Sequence, residues 1–341
     1  MSRPACGFLT GGTWCVDRNK LVEFWPAEEG IARILGEERR GGGSACNFAV
    51  DVRKLDPTTK VATIGLVGDD EDGRFLLAEA DANGIERSLL GLTGEAPTQY
   101  TEAYGSRRSG RRTHLYFEGT AALLTPEHFA GLERFAGRIF HLGLPGVHPV
   151  MDAPWGDAAS GWVAVLRMAR AAGLKTSLEL VSTEAARIAM LGRPCLPYLD
   201  YLIVNDSEIG GLAGEATVAG DRTDCDLVER AVRKVAGLGS LELVVAHFPA
   251  GAIAATIEGA LMRVPSLAVP TAEIVAANGA GDAFAAGTLY AVQQGWSASA
   301  AVALGHAAAA SSLRGLSTTG TVGTWRECLA LAEAWGTRPA P

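Results

Sequence analysis

A short glycine-containing turn followed by a carboxylate is the part of the chain best suited to chemistry. Its sequence is Asn278-Gly279-Ala280-Gly281-Asp282, and the alanine-rich stretch from Ala283 to Gln294 has the composition of a helix. Small residues let the backbone approach an anion, and the start of a helix offers unpaired N–H groups and the positive end of its dipole. Asp282 would then lie beside the anion, where its carboxylate could take a proton from an attacking hydroxyl. The same residues would also suit a tight packing turn with Asp282 as a helix cap, and this segment alone leaves both interpretations open.

A second glycine cluster, Gly41-Gly42-Gly43, follows a charged segment that we expect to be a loop and precedes a predicted helix that ends at Leu55. Bare backbone at Gly42 and Gly43 can press against a polar ligand, and the side chain of Asn47 offers both a donor and an acceptor. No Gly-Lys-Ser/Thr follows, which excludes a Walker A loop, and no GxGxxG fingerprint follows the first strand. Glycine-rich helix starts also occur without a ligand, so the cluster is a weak signal by itself.

The third candidate is a pair of polar residues, Asn205 and Glu208, that follows the apolar run Tyr201–Val204. The run predicts a strand, and Glu208 lies one helical turn after Asn205 on the same face. Ligands of α/β proteins bind at the carboxyl ends of strands, so an amide and a carboxylate at this place suit a ligand site. A capping box around Glu208 would explain the same spacing without a ligand.

The elements that must position these residues follow from the alternation of short apolar runs with longer helical patterns. This alternation predicts an α/β fold with a doubly wound, mainly parallel sheet and helices on both faces. No internal repeat or low-complexity linker divides the chain, so we expect one domain over residues 1–341. The predicted strands are Lys60–Gly65, Arg138–Leu142, Lys175–Leu180, Tyr201–Val204 and Leu241–Val245, and the predicted helices are Asp72–Asn83, Trp162–Ala172, Thr183–Leu191, Ser207–Leu212 and Asp226–Ala236.

Two segments, about 13–25 and 97–118, interrupt this alternation because they are rich in aromatic, β-branched and charged residues. Such segments suit a small antiparallel β sheet that stands apart from the parallel core. We predict that they pair into a lid over a ligand, the alternative being two independent surface hairpins. An exposed apolar face of that size is unfavourable, so the aromatic face of the lid should cover the ligand or pack against a second subunit.

Composition and charge restrict the classes of function. The chain has 341 residues, 48% hydrophobic and 20% charged, with a formal net charge of −8 and a pI near 5.4. Binding to a phosphate backbone needs a basic face, so nucleic acid is not an expected partner. We see neither a signal segment nor an apolar run long enough to cross a membrane, and we expect a cytoplasmic protein with no membrane partner. The six cysteines lack metal spacing, and we expect them to be buried thiols.

Taken together, these motifs resemble the ribokinase family, also called the PfkB family of carbohydrate and nucleoside kinases. The resemblance covers nearly the whole chain, and four motifs in the family's order are far more specific than any one of them. They are Gly42-Gly43-x-x-x-Asn47, the stretch Ile64–Gly73 with Gly84-Ile85 after it, Asn205-x-x-Glu208, and Gly279-Ala280-Gly281-Asp282.

The resemblance implies transfer of the γ-phosphoryl group of ATP to an alcohol, with Mg²⁺ as the second cofactor. Asp282 would be the catalytic base, and the N–H groups of residues 279–281 (Gly279, Ala280 and Gly281) would form the anion hole. Glu208 would act on Mg²⁺ through water, and Asn205 would lie near the ATP phosphates. By the same resemblance, the acceptor's hydroxyls would be held by Asp17, Gly42, Gly43, Asn47 and Glu179, and the nucleotide would be bordered by Gly251 and His306. A half-buried helix histidine with no ligand is the alternative for His306.

Three departures from the family's pattern affect these expectations. Ala276 replaces an aspartate that binds a monovalent cation in many members, so we predict little dependence on K⁺. The usual nucleotide loop appears as Ala246–Gly251 and keeps only its last glycine, so we expect different contacts to the adenine or ribose. Only Glu179 could serve where the family has an acidic residue with Asn or Arg after the central strand.

The sequence therefore predicts a carbohydrate kinase that phosphorylates a hydroxyl of a sugar or sugar-like small molecule. The main alternative acceptor is a nucleoside of the adenosine type. A non-catalytic ligand-binding member is less expected, since such a protein has no need of Asp282 behind its glycines. A dehydrogenase that uses NAD would fit the α/β alternation but lacks the phosphate fingerprint. Besides the small-molecule acceptor, a homodimer formed through the lid is the expected partner.

Overall fold

A nine-stranded sheet forms the centre of the molecule in the computed structural model, which describes residues 7–135, 137–220 and 222–341. The order across the sheet is β15-β14-β13-β10-β9-β8-β1-β4-β5, where the strands are β1 (Phe8–Gly12), β4 (Val61–Gly68), β5 (Glu86–Thr93), β8 (Ile139–Gly143), β9 (Lys175–Leu178), β10 (Tyr201–Asn205), β13 (Leu243–Phe248), β14 (Gly251–Thr256) and β15 (Leu261–Pro265). All neighbours from β5 to β13 pair in parallel, and β14 and β15 complete one edge as antiparallel strands. The predicted mainly parallel sheet is confirmed.

Helices cover both faces of this sheet, as the alternation predicts. Successive side chains of a strand point to opposite faces, and β10 shows the consequence. Its Tyr201 and Ile203 belong to one apolar core, and Leu202 and Val204 belong to the other. The helices are α1 (Ser44–Leu55), α2 (Glu71–Ala82), α3 (Pro149–Asp152), α4 (Gly161–Ala171), α5 (Ala185–Gly192), α6 (Asp206–Ala213), α7 (Cys225–Ala236), α8 (Ala280–Gln293), α9 (Ala298–Ser312) and α10 (Trp325–Trp335). The first core lies against α1, α8, α9 and α10, and the second against α4, α6 and α7.

The predicted lid segments belong to one four-stranded sheet, which we call the lid. Its strands are β2 (Cys15–Val22), β3 (Ile34–Gly42), β6 (Tyr100–Ser106) and β7 (Arg112–Phe117), in the order β3-β2-β6-β7. The expectation of a loop before Gly41 is wrong, because that charged segment is β3. The two outer pairs are antiparallel, whereas the central pair of β2 and β6 is parallel. A long crossover through β4 and α2 separates those two strands in the chain, and such a connection permits parallel pairing.

Three smaller observations complete the fold. A short hairpin, β11 (Val218–Ala219) with β12 (Arg222–Thr223), lies between α6 and α7. Within the described parts of the chain, no helix is both long and apolar enough to span a membrane. Four of the five described cysteines are buried and all five are free thiols, as expected, and Cys6 lies outside the described residues.

Candidate active site

The turn at residues 278–281, which we call the anion turn, is built around Gly279, the N-cap residue of α8. Its backbone is left-handed, with φ of 72°, and a Cβ there would lie 2.6 Å from atoms of Thr318. Glycine is therefore required by both conformation and packing. No side chain caps the helix, so the first-turn N–H groups have no side-chain acceptor and can receive an anion. Asp282 is not the cap, and that interpretation of its carboxylate is wrong.

Asp282 receives a hydrogen bond from the start of another helix, α1. The amide nitrogen Nδ2 of Asn47 donates to Oδ2 of Asp282 over 2.7 Å. The amide is held in this orientation because the hydroxyl of Thr318 donates to Oδ1 of Asn47 over 3.0 Å. Two motifs that are 235 residues apart in the chain thus meet at one carboxylate, and Thr318 orients the group between them.

The second glycine cluster positions Asp17. A Cβ on Gly42 would lie 2.2 Å from the carboxyl group of Asp17, so the bare Cα of Gly42 supports that side chain from behind. Gly43 is the N-cap of α1 and has a φ of 87°. Asp17 and Asn47 both line the large cavity that is described next, whereas Gly42 does not line it.

A cavity of about 890 Å³ separates the lid from the carboxyl edge of the central sheet. Asp282 lines the cavity together with residues of the lid and of α9. Following the roles expected from the sequence, we call the part under the lid the acceptor end and the part near α9 the nucleotide end. Of the predicted site residues, those that line the cavity are Asp17, Gly43, Asn47, Glu179, Asn205, Glu208, Gly279, Ala280, Gly281, Asp282 and His306. Gly251 does not: its Cα packs against the carbonyl of Val264 in β15, next to Pro341.

Carboxyl groups dominate the electrostatics of the acceptor end. Burial raises the pKa of Asp17 to about 7, with a further contribution from the charge of Asp282. Burial raises the pKa of Glu179 to about 7 as well. The pKa of Asp282 is also raised, first by burial and then by the charge of Glu179, and the Asn47 amide opposes the shift. Mutual repulsion in a dry site keeps at least part of this cluster protonated near neutral pH.

The nucleotide end contains the predicted pair of Asn205 and Glu208. These two residues form a capping box at the start of α6. Oε2 of Glu208 accepts from the backbone N–H of Asn205 over 2.9 Å, and Oε1 accepts from the Ser182 hydroxyl over 2.8 Å. The capping interpretation of the spacing is correct, yet both residues also line the cavity. Burial raises the pKa of Glu208 to about 7 despite these hydrogen bonds. In the described ranges, no three His, Cys, Asp or Glu side chains group to hold a metal ion.

Two histidines flank one aromatic ring at the nucleotide end. The rings of His247 and His306 lie 4.7 Å and 4.9 Å from that of Phe284, measured between centroids. Burial lowers the pKa of His247 to about 3 and that of His306 to about 4, so both rings are neutral. Nε2 of His306 is buried and has no hydrogen-bond partner among the described residues, which leaves one polar atom of the cavity wall unsatisfied. His247 was not anticipated, since its loop departs from the family's pattern.

The inner face of the lid is polar, contrary to expectation. Asp17, Asn19, Thr101 and His114 line the cavity, and Tyr116 is the one aromatic residue of the lid strands that does so. The other aromatic residues lie on the outer face, where Tyr100 stacks on Phe117 at 5.1 Å and Arg18 covers the Tyr100 ring. Strand alternation explains the reversal: Thr101 and Tyr116 are direct partners, so the neighbouring pair of Tyr100 and Phe117 must face the other way.

The lid touches the anion turn through residues that sequence analysis missed. The guanidinium of Arg112 donates to the carbonyl of Ala277. Nδ2 of Asn278 donates to Oδ1 of Asn19 over 3.2 Å. Nδ2 of Asn19 and Oδ1 of Asn278 are buried and make no hydrogen bond with any other residue that the structure describes. Asn278 stood inside the strongest motif and could have been suspected there, whereas nothing in the pattern distinguishes Arg112 from the other arginines of its strand.

Known proteins resemble this chain over most of its length. The sequence model described as pfkB family carbohydrate kinase matches residues 12–324. The chain is 32% identical over 324 residues to adenosine kinase of Schizosaccharomyces pombe, covering 90% of this chain and 91% of that protein. It is 30% identical over 283 residues to probable fructokinase-7 of Arabidopsis thaliana, covering 79% and 75%. The solved structure of Arabidopsis thaliana ribokinase complexed with ribose and ATP has a similar fold, with a TM-score of 0.73, 19% identity and coverage of 96% and 98%.

Proposed function

The chain belongs to the pfkB family of carbohydrate kinases, and from this premise we propose that ATP phosphorylates a hydroxyl of a sugar or sugar-like polyol in its cavity. One observation supports the proposal above others: Asp282 lies in the first turn of a helix without a side-chain cap, and it lines the same cavity as residues of the lid and of α9. A phosphoryl group held at the turn and a hydroxyl under the lid would both be next to that carboxylate. This is the arrangement that in-line phosphoryl transfer requires.

In the proposed reaction Asp282 takes the proton of the acceptor hydroxyl as its oxygen attacks the γ-phosphorus of ATP. The new O–P bond forms while the bond to the leaving ADP oxygen breaks. The N–H groups of residues 279–281 would bind the anionic phosphoryl oxygens. Arg112 is anchored on the carbonyl of Ala277, so its guanidinium is placed to offset the charge that develops there.

The polarity of the acceptor end supports a polyol as the acceptor. Asp17 and Glu179 can accept hydrogen bonds from hydroxyl groups, and Asn47 can donate one. Asn19 and Asn278 keep one unpartnered donor and one unpartnered acceptor, and a hydroxyl is able to satisfy both. The cluster of buried carboxyl groups also disfavours an anionic acceptor, such as a sugar acid or a sugar phosphate.

A nucleoside is the second candidate, and two observations favour it. The relative from Schizosaccharomyces pombe is an adenosine kinase, and Tyr116 offers one ring of the lid to a base. ADP formation measured with a panel of neutral sugars, sugar acids and nucleosides decides between them. We expect the highest kcat/KM with a neutral sugar. A nucleoside that exceeds every sugar would overturn the choice of acceptor, and no activity with any of them would overturn the function.

Magnesium is proposed to enter with ATP and to neutralise charge on its phosphates. The residues at the nucleotide end fit such an ion through water, because Glu208 already uses both carboxyl oxygens in hydrogen bonds. A nearby cation would also favour the ionised form of this buried carboxyl group. We expect no activity with EDTA and, for Glu208→Gln, a higher Mg²⁺ requirement. An unchanged requirement in that variant would exclude Glu208 from this role.

We also propose that residues 1–341 act as a single domain and that the outer face of the lid contacts a second copy of the chain. Leu115 and Phe117 of that face are 56% and 41% exposed, which is unusual for large apolar side chains on one short strand. Light scattering should then give twice the monomer mass, and Leu115→Glu should give the monomer. A monomeric wild-type protein at micromolar concentration would refute this contact.

A further inference from the structure

Glu179 is fixed by contacts of both its backbone and its side chain. It follows β9, and its backbone N–H donates to the carbonyl of Leu142 over 2.9 Å. Oε2 of its carboxyl group lies 2.9 Å from Nε2 of His141, and the carboxyl also hydrogen-bonds to Asp282. The row of side chains from His141 through Glu179 ends at the base.

His141 is itself fixed on every side. It is 1% exposed, its ring stacks on Phe48 with centroids 4.1 Å apart, and Nδ1 lies 3.3 Å from the hydroxyl of Ser177. Burial lowers the pKa of His141 to about 4, so the ring is neutral and carries one proton. An ionised Glu179 carboxylate can only accept a hydrogen bond, so its contact with Nε2 requires the ring proton on that nitrogen, and the Ser177 hydroxyl then donates to Nδ1.

This hydrogen bond decides which carboxyl group of the pair holds a proton. A carboxylate that accepts an N–H bond is stabilised in its charged form, and Glu179 receives such a bond from His141. Two adjacent carboxyl groups in a dry site share one proton. The proton therefore lies on Asp282 and is donated to Glu179, which leaves the base occupied in the free enzyme.

We propose that Glu179, which His141 holds in place, is a positioning residue for the base. Its contact with Asp282 keeps Asp282 protonated until an acceptor hydroxyl replaces the contact between the two carboxyl groups. The shared proton then passes to water, and Asp282 can accept the proton of the acceptor. The proposal rests on the proposed function. It adds that this chain suppresses its own base when the acceptor is absent, so that water near ATP finds no ionised carboxylate at that position.

The charges around the pair set the direction of the expected effects. Removing the charge of Glu179 should lower the pKa of Asp282, and removing the donor on His141 should raise the affinity of the pair for its proton. The titratable groups that interact electrostatically with Asp282 or Glu179 are Asp17, Cys46, Asp51, His141 and Glu208. None of these is altered in Glu179→Gln, which keeps the shape of the side chain.

The test compares Glu179→Gln and His141→Phe with wild type. The ascending limb of kcat/KM against pH should move to lower pH by about one unit or more in Glu179→Gln, and to higher pH in His141→Phe. Glu333→Gln, an exposed carboxylate of α10, is the matched control and should leave the limb in place. Superimposable profiles, or shifts of the same sign in both variants, would overturn the proposal.

A second measurement needs no acceptor. Infrared difference spectra between the free wild-type protein and Asp282→Asn should isolate the protonated carboxyl band of Asp282 from those of the other buried carboxyl groups, Asp17, Asp51 and Glu208, and this band should disappear as the pH rises. The band should be lost at lower pH in Glu179→Gln. A band that is unaffected by Glu179→Gln would overturn the proposal even if the protein is a kinase. A band that behaves as expected in a protein inactive with every acceptor would refute only the proposed function.

Discussion

Thr318→Val is expected to impair catalysis although Thr318 does not touch the reacting atoms. Its hydroxyl donates to Oδ1 of Asn47 over 3.0 Å and thereby turns the amide nitrogen toward Asp282. Valine keeps the branched shape that packs on Gly279 but removes the donor. Without it, both orientations of the amide become accessible, and in one of them an oxygen faces the carboxylate of Asp282.

The size of the effect follows from burial. Asn47 and Thr318 are 3% and 6% exposed, so water is poorly placed to replace the lost hydroxyl. A buried polar group that loses its partner costs about 1–3 kcal/mol, which corresponds to about a 5- to 150-fold loss if it is expressed in the transition state. We expect this loss in kcat, with the KM for ATP nearly unchanged because the nucleotide end is untouched.

The assay is steady-state ADP formation with the best acceptor, alongside a thermal melt that verifies folding. Thr318→Ser is the matched control, since it keeps the hydroxyl and removes only a methyl group, and its kcat should stay within about threefold of wild type. A folded Thr318→Val with wild-type kcat would refute the orienting role. Equal losses in both variants would show that the methyl contact with Gly279 matters instead.

Four further outcomes are expected. Asp282→Asn should leave folding and ATP binding, both measured by calorimetry, nearly intact but lower turnover by about 10²–10⁴-fold. Retention of more than a tenth of wild-type turnover would exclude Asp282 as the base. Gly279→Ala should weaken nucleotide binding and lower the melting temperature, because a Cβ would lie 2.6 Å from Thr318; an unchanged melt would contradict the packing. Exchange of Na⁺ for K⁺ at fixed ionic strength should leave kcat nearly constant, since Ala276 offers no carboxylate, and a several-fold rise would oppose this. Acceptor binding should slow amide hydrogen exchange in segments 13–25 and 97–118, ATP alone doing so weakly, whereas unchanged protection at saturation would remove the lid from the mechanism.

Sequence alone predicted the mainly parallel sheet and five of its nine strands (β4, β8, β9, β10 and β13) because their signals are local, and it did not predict β1, β5, β14 and β15. Buried parallel strands are continuous apolar runs, and the turns between them carry glycine at helix ends, as at Gly84, Gly173 and Gly295. The prediction failed at β3, where the residues are mostly exposed and charged and resemble a loop in composition. An edge strand of this kind is defined by its pairing with β2, which composition does not encode.

The site was predicted in part for a related reason. Motif spacing brought out Asp282, Asn47 and Glu208, but no spacing rule connects residue 318 with residue 47 or residue 141 with residue 179. Those contacts depend on how helices and strands from distant parts of the chain pack together. The face of the lid was predicted wrongly because an aromatic-rich strand has two faces, and register alone determines which one meets the cavity.

Strand β3 runs directly into the helix that carries Asn47, with Gly43 as the single residue between them. The lid strand and the helix that holds the Asn47 amide beside Asp282 are therefore continuous in the chain, with Gly43 as the junction. A displacement of the lid edge would reach Asn47 through the covalent chain and Asp282 through the hydrogen bond between the two side chains, without any ligand in between. A lid exchange intended to change the acceptor should accordingly include all of residues 34–47. A graft that ends at Gly42 would join a foreign lid strand to the original Gly43 and the original start of α1.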